Sequence, residues 1–249
     1  MTALVLQGRL DSRRLPRKIL LPLGGKPLIF RAMEALRRVP ADRYVLACSG
    51  DCAGELEGTA AEAGFELCPG PKDDVLARYC LVIRRCGADR VIRATGDNPL
   101  VFPDAAAAID AEARSLGAAY AGYGGLPAGA GVESADAEAL LRAEREAAAM
   151  DEREHVCPYL YRHPELFPLH RPLAPKLWQA PALRITVDTA EDYKRVLLLW
   201  ETLAASPDPE DRFRGEAIIA AGREIFPGGN DGSISPAGAA VESAAGAAG

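Results

Sequence analysis

The fold of this chain is decided by one stretch of sequence, ALVLQGRLDSRRLPRK, at residues 3–18. Residues 3–6 form an apolar run with the length of a buried strand, and the run breaks at Gly8 into a loop. We call residues 8–18 the basic loop, because it carries the cations Arg9, Arg13, Arg14, Arg17 and Lys18. Backbone N–H groups and cationic side chains in such a loop can converge on a compact anion such as a polyphosphate.

The position of the basic loop favours a ligand site over the simplest alternative, a solvated basic surface. The chain as a whole has a formal net charge of −6, so this loop is a local exception. Charge runs in general mark solvated faces. This loop, however, directly follows the first strand of an α/β pattern, and ligands gather at the carboxyl ends of such strands.

The amino-acid composition limits the classes of protein to which this chain can belong. The chain has 249 residues, of which 49% are hydrophobic, so it can bury a full core. Its net negative charge argues against a nucleic-acid partner, because proteins usually bind nucleic acids through a basic surface. No apolar stretch approaches the roughly 20 residues of a membrane span. We also see no signal peptide, and we therefore expect a cytoplasmic protein with reduced cysteines and no membrane partner.

Beyond the basic loop, the apolar pattern alternates between strands and helices. Further strands are predicted at residues 44–48, 65–68, 89–94, 118–123, 167–173 and 183–187. Helices are predicted at residues 27–38, 51–63, 75–86, 103–116, 134–148, 151–163, 190–204 and 214–225. Ser134 is interpreted as the N-cap of one helix, and Thr189 with Asp192 as the reciprocal cap of another. The alternation predicts a three-layer α/β/α fold with a mostly parallel sheet.

Two segments differ in composition from this pattern. Residues 122–131 are rich in glycine and proline and are predicted to form a surface loop. Residues 227–249 are dominated by glycine, alanine and serine, with almost no large apolar residue, and are predicted to be a mobile tail. Residues 1–226 are expected to form a single domain.

Two aspartates are predicted at the same edge of the sheet as the basic loop. Asp97 follows the strand at 89–94, and Asp188 follows the strand predicted at 183–187. Each aspartate taken alone has a simple alternative as a helix cap or turn residue, Asp188 more so than Asp97. Two carboxylates facing a cationic loop suit Mg²⁺, which binds one or two carboxylates together with phosphate oxygens and water. In this interpretation Lys18 and the arginines hold a leaving diphosphate.

Several common nucleotide and hydrolase motifs do not occur in the sequence. It contains neither a Walker A pattern nor a strand–GxGxxG–helix unit, which excludes the usual P-loop and NAD-binding sites. It also contains no Gly-x-Ser-x-Gly nucleophile elbow, and its three histidines have no metal-ligand spacing.

The motifs resemble those of the cytidylyltransferases. QGR at 7–9 and SRRLPRK at 12–18 are similar to the family pattern Q-x-R-x-x-S-x-R-L-P-G-K. The likeness continues in LLPLGGKPL at 20–28, DDVLARY at 73–79, RATGDNPL at 93–100, EREHVCPY at 152–159 and RITVDTAED at 184–192. Within that group the chain resembles the spore coat polysaccharide biosynthesis protein F family, which is related to the CMP-Kdo and CMP-sialate synthetases. The resemblance covers residues 3 to about 200.

The resemblance implies a nucleotide-diphospho-sugar transferase fold of the GT-A-like Rossmann type. It also implies transfer of CMP from CTP to an acceptor, release of pyrophosphate, dependence on Mg²⁺ and a possible homodimer. Arg9, Arg13 and Lys18 inherit the catalytic role of holding the triphosphate, and Asp97 and Asp188 that of binding the metal. The implied nucleotide-binding residues are Leu6, Gln7, Gly8, Arg9, Ser12, Arg13, Lys18, Asp74, Thr95 and Gly96.

The sequence departs from the family pattern at two places. Asp11 and Arg17 stand where the motif has glycine, so a close approach of the loop backbone to phosphate is in question. In the acceptor region, PAGAGVES at 127–134, Glu133 is the one remaining acidic residue, and His155 is the other candidate for acceptor binding. We therefore expect a sugar acid or another small hydroxyl, phosphate or phosphonate acceptor. The alternatives are a nucleotide-sugar glycosyltransferase of the same fold and a degenerate nucleotide-binding homologue.

Overall fold

A computed structural model describes residues 1–227 and 229 of the chain. The strands are β1 (Thr2–Gly8), β2 (Pro22–Leu23), β3 (Lys26–Pro27), β4 (Arg43–Ser49), β5 (Glu66–Gly70), β6 (Arg90–Thr95), β7 (Tyr120–Ala121), β8 (Glu133–Asp136) and β9 (Leu169–His170). The helices are α1 (Leu28–Leu36), α2 (Ala53–Glu62), α3 (Val75–Cys86), α4 (Pro103–Leu116), α5 (Ala137–Glu146), α6 (Met150–His155), α7 (Pro158–Arg162), α8 (Ala190–Ala204) and α9 (Gly215–Ile225). Apart from residues 227 and 229, the tail predicted at 227–249 lies outside the described residues.

The opening stretch supplies the central strand of the main sheet. The strand order is β5-β4-β1-β6-β8-β7-β9, and β1 pairs in parallel with β4 on one side and β6 on the other. Strand β5 continues the parallel arrangement, whereas β8 runs antiparallel to both of its neighbours. The predicted α/β/α fold with a mostly parallel sheet is therefore confirmed. Because β1 and β6 are parallel, the loops that follow them open at the same edge of the sheet.

The core lies on both faces of the central strand. Successive side chains of a strand point to opposite faces. Leu4 and Leu6 pack with α1, α2 and α4 on one face, and Ala3 and Val5 pack with α3 and α5 on the other. A third apolar cluster joins α8 and α9 to the segment after β6. Among the described residues, no helix combines the length and hydropathy that crossing a bilayer requires.

Elements with strong local signals are found where they are predicted. Helices α4 and α8 span the predicted residues 103–116 and 190–204. Thr189 and Asp192 form the predicted capping box at the start of α8. Asp74 caps α3 by accepting a hydrogen bond from the Ala77 amide, and Gly87 ends the helix at a φ of 66°.

The prediction that Ser134 caps a helix is wrong. Ser134 lies inside β8, and the cap of α5 is Asp136, whose carboxylate accepts from the Ala139 amide at 3.0 Å. The Ser134 hydroxyl is fully buried, accepts a hydrogen bond from Arg90 Nε at 2.8 Å and donates one to Asp110 at 2.6 Å. Serine and aspartate both favour N-cap positions, so the local pattern could not tell that tertiary partners hold Ser134 in the sheet.

The prediction of a strand at 183–187 is also wrong. This segment pairs only through an isolated bridge between Ala128 and Arg184, because its backbone bonds to loops rather than to a strand. Its apolar side chains are buried against α8 and α9. The predicted surface loop at 122–131 packs beside it, with Ala130 fully buried. Elsewhere, β5 extends to Gly70, two residues beyond the strand predicted at 65–68, and the helix predicted at 151–163 divides into α6 and α7.

Ser134→Ala is expected to destabilise the fold, because it leaves the buried Arg90 and Asp110 with an unmet donor and acceptor. We expect a loss of about 1–3 kcal/mol in the free energy of unfolding, measured by urea denaturation. Ser115→Ala, on the exposed end of α4, is the matched control and should change this free energy by less than about 0.5 kcal/mol. Equal effects of the two substitutions would contradict the buried role of Ser134.

Candidate active site

A buried lysine joins three loops at the carboxyl edge of the sheet. Lys18 is 7% exposed, and its Nζ donates to Asp97 Oδ2 at 2.7 Å and to Asp188 Oδ1 at 2.9 Å. The basic loop delivers the lysine because it closes on itself, with the Arg17 amide donating to the Leu10 carbonyl at 3.0 Å. Ile19, the next residue, is buried in the core and anchors the end of the loop.

The two aspartates are held together by the backbone as well. The Val187 amide donates to the Asp97 carbonyl at 3.0 Å, which fixes the late loop beside the loop after β6. The turn that carries Asp97 is closed by Asn98, whose amide and side chain both bond to Thr95. The capping of α8 is performed by Thr189 and Asp192. The Asp188 carboxylate is therefore free of the capping role that was its simple alternative.

The surroundings of Asp188 favour its ionised form. Besides Lys18, its carboxylate pairs with Arg14 at 2.9 Å and with Arg184. Burial by itself would raise the pKa of Asp188, but the hydrogen bond and charge of Lys18 and the two arginines hold this pKa below its usual value. Arg14 was counted in the basic loop but not among the predicted site residues. Its contact with Asp188 makes it part of the site.

The pair of aspartates suits a magnesium ion that arrives with a phosphate. Among residues 1–227 and 229, no group of three or more acidic, histidine or cysteine side chains is arranged to hold a metal. Mg²⁺ does not need such a group, since one or two carboxylates with phosphate oxygens and water complete its shell. The ammonium of Lys18 between Asp97 and Asp188 shows that this position accepts a cation.

Five of the predicted nucleotide-binding residues lie at the ends of β1 and β6, namely Leu6, Gln7, Gly8, Thr95 and Gly96. The Gly96 amide donates to the Gln7 carbonyl at 2.8 Å, and a Cβ at Gly96 would lie only 3.0 Å from that oxygen. The strand ends therefore approach closely at the two glycines, Gly8 and Gly96. The Leu6 side chain is fully buried in the core, so only its backbone can face a ligand. Thr95 is half-buried at the end of β6.

The two other arginines predicted as catalytic are exposed. Arg9 pairs with Glu154 at 3.1 Å. Arg13 makes no ion pair within the part of the chain that the structure describes, and Ser12 beside it is half-buried. These side chains are therefore available to an anion arriving from solvent.

Helix α6 is joined to the basic loop and to the start of α3 by ion pairs that the sequence did not reveal. Arg153 binds the carboxylate of Asp74, and Glu154 binds Arg9. Asp74 thus caps α3 with one oxygen and accepts from Arg153 with the other. The motif at 152–159 was the sequence signal for this contact. It could not identify Asp74 and Arg9 as the partners of Arg153 and Glu154, because tertiary structure brings them together.

A strained turn follows α6. Val156 has a φ of 74° and a ψ of −58°, and the Cys157 amide donates to the His155 carbonyl at 2.9 Å. These values define a γ-turn of the rare strained kind, here at a fully buried β-branched residue. Such strain persists where surrounding structure imposes it and is concentrated at functional sites.

Of the two predicted acceptor-binding residues, His155 belongs to this turn and Glu133 is the first residue of β8. Glu133 accepts hydrogen bonds from Arg93 and from the Tyr120 hydroxyl, the latter at 2.8 Å, and Arg93 Nε also donates to Gln7. The carboxylate is therefore neutralised by Arg93. His155 is exposed, and its ring makes no hydrogen bond to any described residue.

Comparison with known proteins agrees with this geometry. The family described as Cytidylyltransferase matches residues 3–206. The chain belongs to this family. The spore coat polysaccharide biosynthesis protein SpsF of Bacillus subtilis is 32% identical over 211 residues, which cover 82% of this chain and 88% of that protein.

Solved cytidylyltransferases share the fold. A cytidylyltransferase of Leptospira borgpetersenii aligns with a TM-score of 0.82 at 22% identity, covering 94% of this chain and 98% of that one. The structure of a CMP:2-keto-3-deoxy-manno-octonic acid synthetase complexed with CTP aligns with a TM-score of 0.62 at 16% identity, covering 81% of this chain and 98% of that one. The family match favours a cytidylyltransferase over the glycosyltransferase alternative.

The structure accounts for the departures of this cytidylyltransferase from the motif glycines. Arg17 adopts the left-handed conformation, with a φ of 57°, which glycine reaches without steric cost. Its guanidinium pairs with Glu55 on the outside of the loop. Asp11 lies 3.6 Å from Lys72, away from the Lys18 site. Neither charge therefore enters the site formed by Lys18 and the two aspartates.

Asp192→Asn is expected to weaken the support of the late loop in a pH-dependent way. Burial would raise the pKa of Asp192, but hydrogen bonds from Arg184 and Thr189 hold it below its usual value. A carboxylate with a lowered pKa stabilises the fold fully above the unfolded pKa of about 3.9, and this stabilisation is lost as the pH falls through the folded pKa. We expect the variant to lose about 1–3 kcal/mol in unfolding free energy at pH 7.

The measurement is urea denaturation of both proteins between about pH 7 and pH 3. The difference in unfolding free energy should stay constant above about pH 4 and shrink below it. A difference that is unchanged down to pH 3 would contradict the ionised state of Asp192.

Proposed function

We propose that this cytidylyltransferase transfers CMP from CTP to a small acceptor and releases pyrophosphate, with Mg²⁺ bound by Asp97 and Asp188. The observation that carries the proposal is the Lys18 ammonium lying between the two carboxylates, at 2.7 and 2.9 Å. This places a cation, two acidic ligands and a basic loop at the edge where α/β sheets bind nucleotides. The CTP complex of the structurally similar synthetase supports the choice of nucleotide.

In this reaction Lys18 exchanges its two carboxylate partners for phosphate oxygens. In the free protein its charge is balanced by Asp97 and Asp188. When Mg²⁺ is bound, it supplies Lewis-acid neutralisation of the charge that develops on the phosphates. Lys18 then donates to phosphate oxygens, and Arg9, Arg13 and Arg14 approach the same polyphosphate from the exposed side.

The transfer needs no protein nucleophile. An acceptor oxygen attacks the α-phosphorus and forms the new P–O bond as the bond to the bridging oxygen breaks. The electron pair leaves with pyrophosphate, and the acceptor proton passes to water. The residues of the site contribute by holding the two reactants in line and by stabilising negative charge on the leaving group.

The strand ends provide the remaining contacts to the nucleotide. Gly96 lets the end of β6 pack closely against the Gln7 carbonyl, and we assign the surface beside these strand ends to the nucleotide, with contacts from Leu6, Gln7, Gly8, Ser12, Thr95 and Gly96. Asp74 holds the start of α3 in place beside it. Residues 1–226 act in this proposal as one catalytic domain of a cytoplasmic enzyme.

The acceptor is assigned to the side of the site that contains Glu133 and His155. Because Arg93 neutralises Glu133, this side offers a hydrogen-bonding rather than a strongly anionic surface. It therefore suits a small acceptor with hydroxyl groups, and also one that bears a carboxylate, phosphate or phosphonate. The similarity to SpsF supports an acceptor from polysaccharide biosynthesis.

Lys18→Ala and Asp97→Asn should each lower the rate of pyrophosphate release by at least about 100-fold, because each removes charge stabilisation of the leaving group or the metal. The measurement is a coupled pyrophosphate assay with CTP, Mg²⁺ and a panel of sugar acids, phosphates and phosphonates. Lys26→Ala is the matched control, since Lys26 is a surface lysine paired with Glu62, and should stay within about twofold of the wild type.

Two outcomes would contradict the proposal. Retention of the wild-type rate by Lys18→Ala would exclude the lysine from the chemistry. Binding of CTP by the wild type without pyrophosphate release for any acceptor would favour a degenerate nucleotide-binding protein.

A further inference from the structure

A second cation is buried at the same edge of the sheet, on the other side of β1. Arg78, in the first turns of α3, is 1% exposed. Its stem lies against Gly70 at the end of β5, where an added Cβ would come within 2.8 Å of Arg78 Cγ. The absence of a side chain at Gly70 therefore makes the space in which this arginine lies.

The guanidinium of Arg78 has no hydrogen-bond partner in the described part of the chain. Nε and Nη1 are buried without one, and no described residue bonds to the third nitrogen. Buried polar atoms in proteins are nearly always paired, so two unpaired donors on one side chain require an explanation. Arg78 differs in this respect from the buried Arg31 and Arg90, which bond to carbonyl or hydroxyl oxygens, although Nη2 of Arg90 is also buried without a partner.

Among residues 1–227 and 229, no carboxylate forms an ion pair with this guanidinium. The neighbouring groups are the thiols of Cys48 and Cys52, the hydroxyl of Tyr79 and, with the same sign of charge, Arg9. Burial raises the pKa of Cys48 to about 12, so its thiol stays neutral and does not balance the arginine. A buried charge with neither partner nor hydrogen bonds destabilises the empty protein. Such an arrangement is expected where a ligand supplies the missing acceptors.

The position of Arg78 relative to the phosphate site suits the base of a nucleotide. The phosphate site lies at the ends of β1 and β6, whereas Arg78 lies beside the ends of β4 and β5. Neighbouring strands are about 4.8 Å apart, so the two positions are two to three strand spacings apart along the edge. That is the reach of a ribose and a base beyond an α-phosphate.

A cavity opens beside Cys52, one of the groups near the arginine. It measures about 230 Å³ and is lined by the basic loop on one side and by residues 49–55 on the other. Cys52 belongs both to the wall of this cavity and to the neighbours of Arg78.

We propose that Arg78 recognises the pyrimidine base of the bound nucleotide by donating two hydrogen bonds to O2 and N3 of cytosine. This inference rests on the proposed function, because it assumes a cytidine nucleotide in the site. Cytosine presents these two acceptors side by side, and the planar fork of arginine matches paired acceptors. Uracil carries a hydrogen on N3. This N–H donor would face the guanidinium of Arg78, which can only donate hydrogen bonds. Arg78 therefore discriminates against UTP.

The test compares the affinities for CTP and UTP, measured by calorimetry with Mg²⁺, in the wild type and in Arg78→Lys and Arg78→Gln. The wild type should favour CTP by at least about tenfold. Both variants should lose about 10–100-fold in CTP affinity and most of the preference over UTP, since neither presents an arginine fork. Arg84→Gln is the control, because Arg84 lies on the outside of α3 and pairs with Glu144. It should keep the preference.

Two further readouts separate base recognition from a structural role. Affinity for pyrophosphate alone should not change in either variant, because the phosphate site does not include Arg78. Without nucleotide, Arg78→Gln should unfold at or above the wild-type temperature, since it removes a buried unpaired charge.

Three results would overturn the inference. They are a wild type that binds CTP and UTP equally, variants that keep the preference for CTP, and a marked loss of stability in both variants. Failure of the proposed function is distinguishable, because it would appear as absent pyrophosphate release in a wild type whose nucleotide preference can still be measured.

Discussion

The structure of the site depends on one buried ammonium group placed between two carboxylates. The side chains of Lys18, Asp97 and Asp188 are only 9%, 25% and 21% exposed, so their charges are poorly screened by water. Without the lysine, two negative charges would face each other in a partly buried space, which is strongly unfavourable. The basic loop, the loop after β6 and the loop before α8 are therefore held together by the cation until a ligand supplies other charges. In the proposed function, a metal–nucleotide complex would take over this balance, because it brings both a cation and phosphates.

A second set of ion pairs connects the nucleotide side of the site to the acceptor side. Glu154 binds Arg9, and Arg153 binds Asp74, so α6 is tied to both the basic loop and the start of α3. The pair between Arg9 and Glu154 is exposed, and such pairs contribute little free energy, so a triphosphate can displace the glutamate at small cost. The strained turn at Val156 sits directly after these residues and between His155 and Cys157. In the proposed function, occupation of the nucleotide site would therefore be linked by these contacts to the segment assigned to the acceptor.

Much of the fold was predictable because its signals are local. The apolar run of β1, the proline and glycine that bound α4 and the capping box of α8 each act within a few residues of sequence. Ser134 and the segment 183–187 were predicted wrongly because their state is set by distant partners, a buried ion pair in one case and two loops in the other. The approach of Lys18 and Asp97 followed from the parallel pairing of β1 and β6, whereas Asp188 is brought to them by the hydrogen bond from the Val187 amide to the Asp97 carbonyl. The pairing of α6 with the basic loop and the unpaired state of Arg78 depend on tertiary contacts that no local pattern carries.

The central claim is that Asp97 and Asp188 exchange Lys18 for a metal when the nucleotide binds. It is tested most directly by a crystal structure of the protein with Mn²⁺ and a non-hydrolysable CTP analogue, using the anomalous signal of manganese. The account predicts a manganese peak within bonding distance of both carboxylates and of a phosphate oxygen, with the Lys18 ammonium moved onto the phosphates. A structure in which Lys18 remains between the two aspartates while the metal and the phosphates bind elsewhere would contradict it.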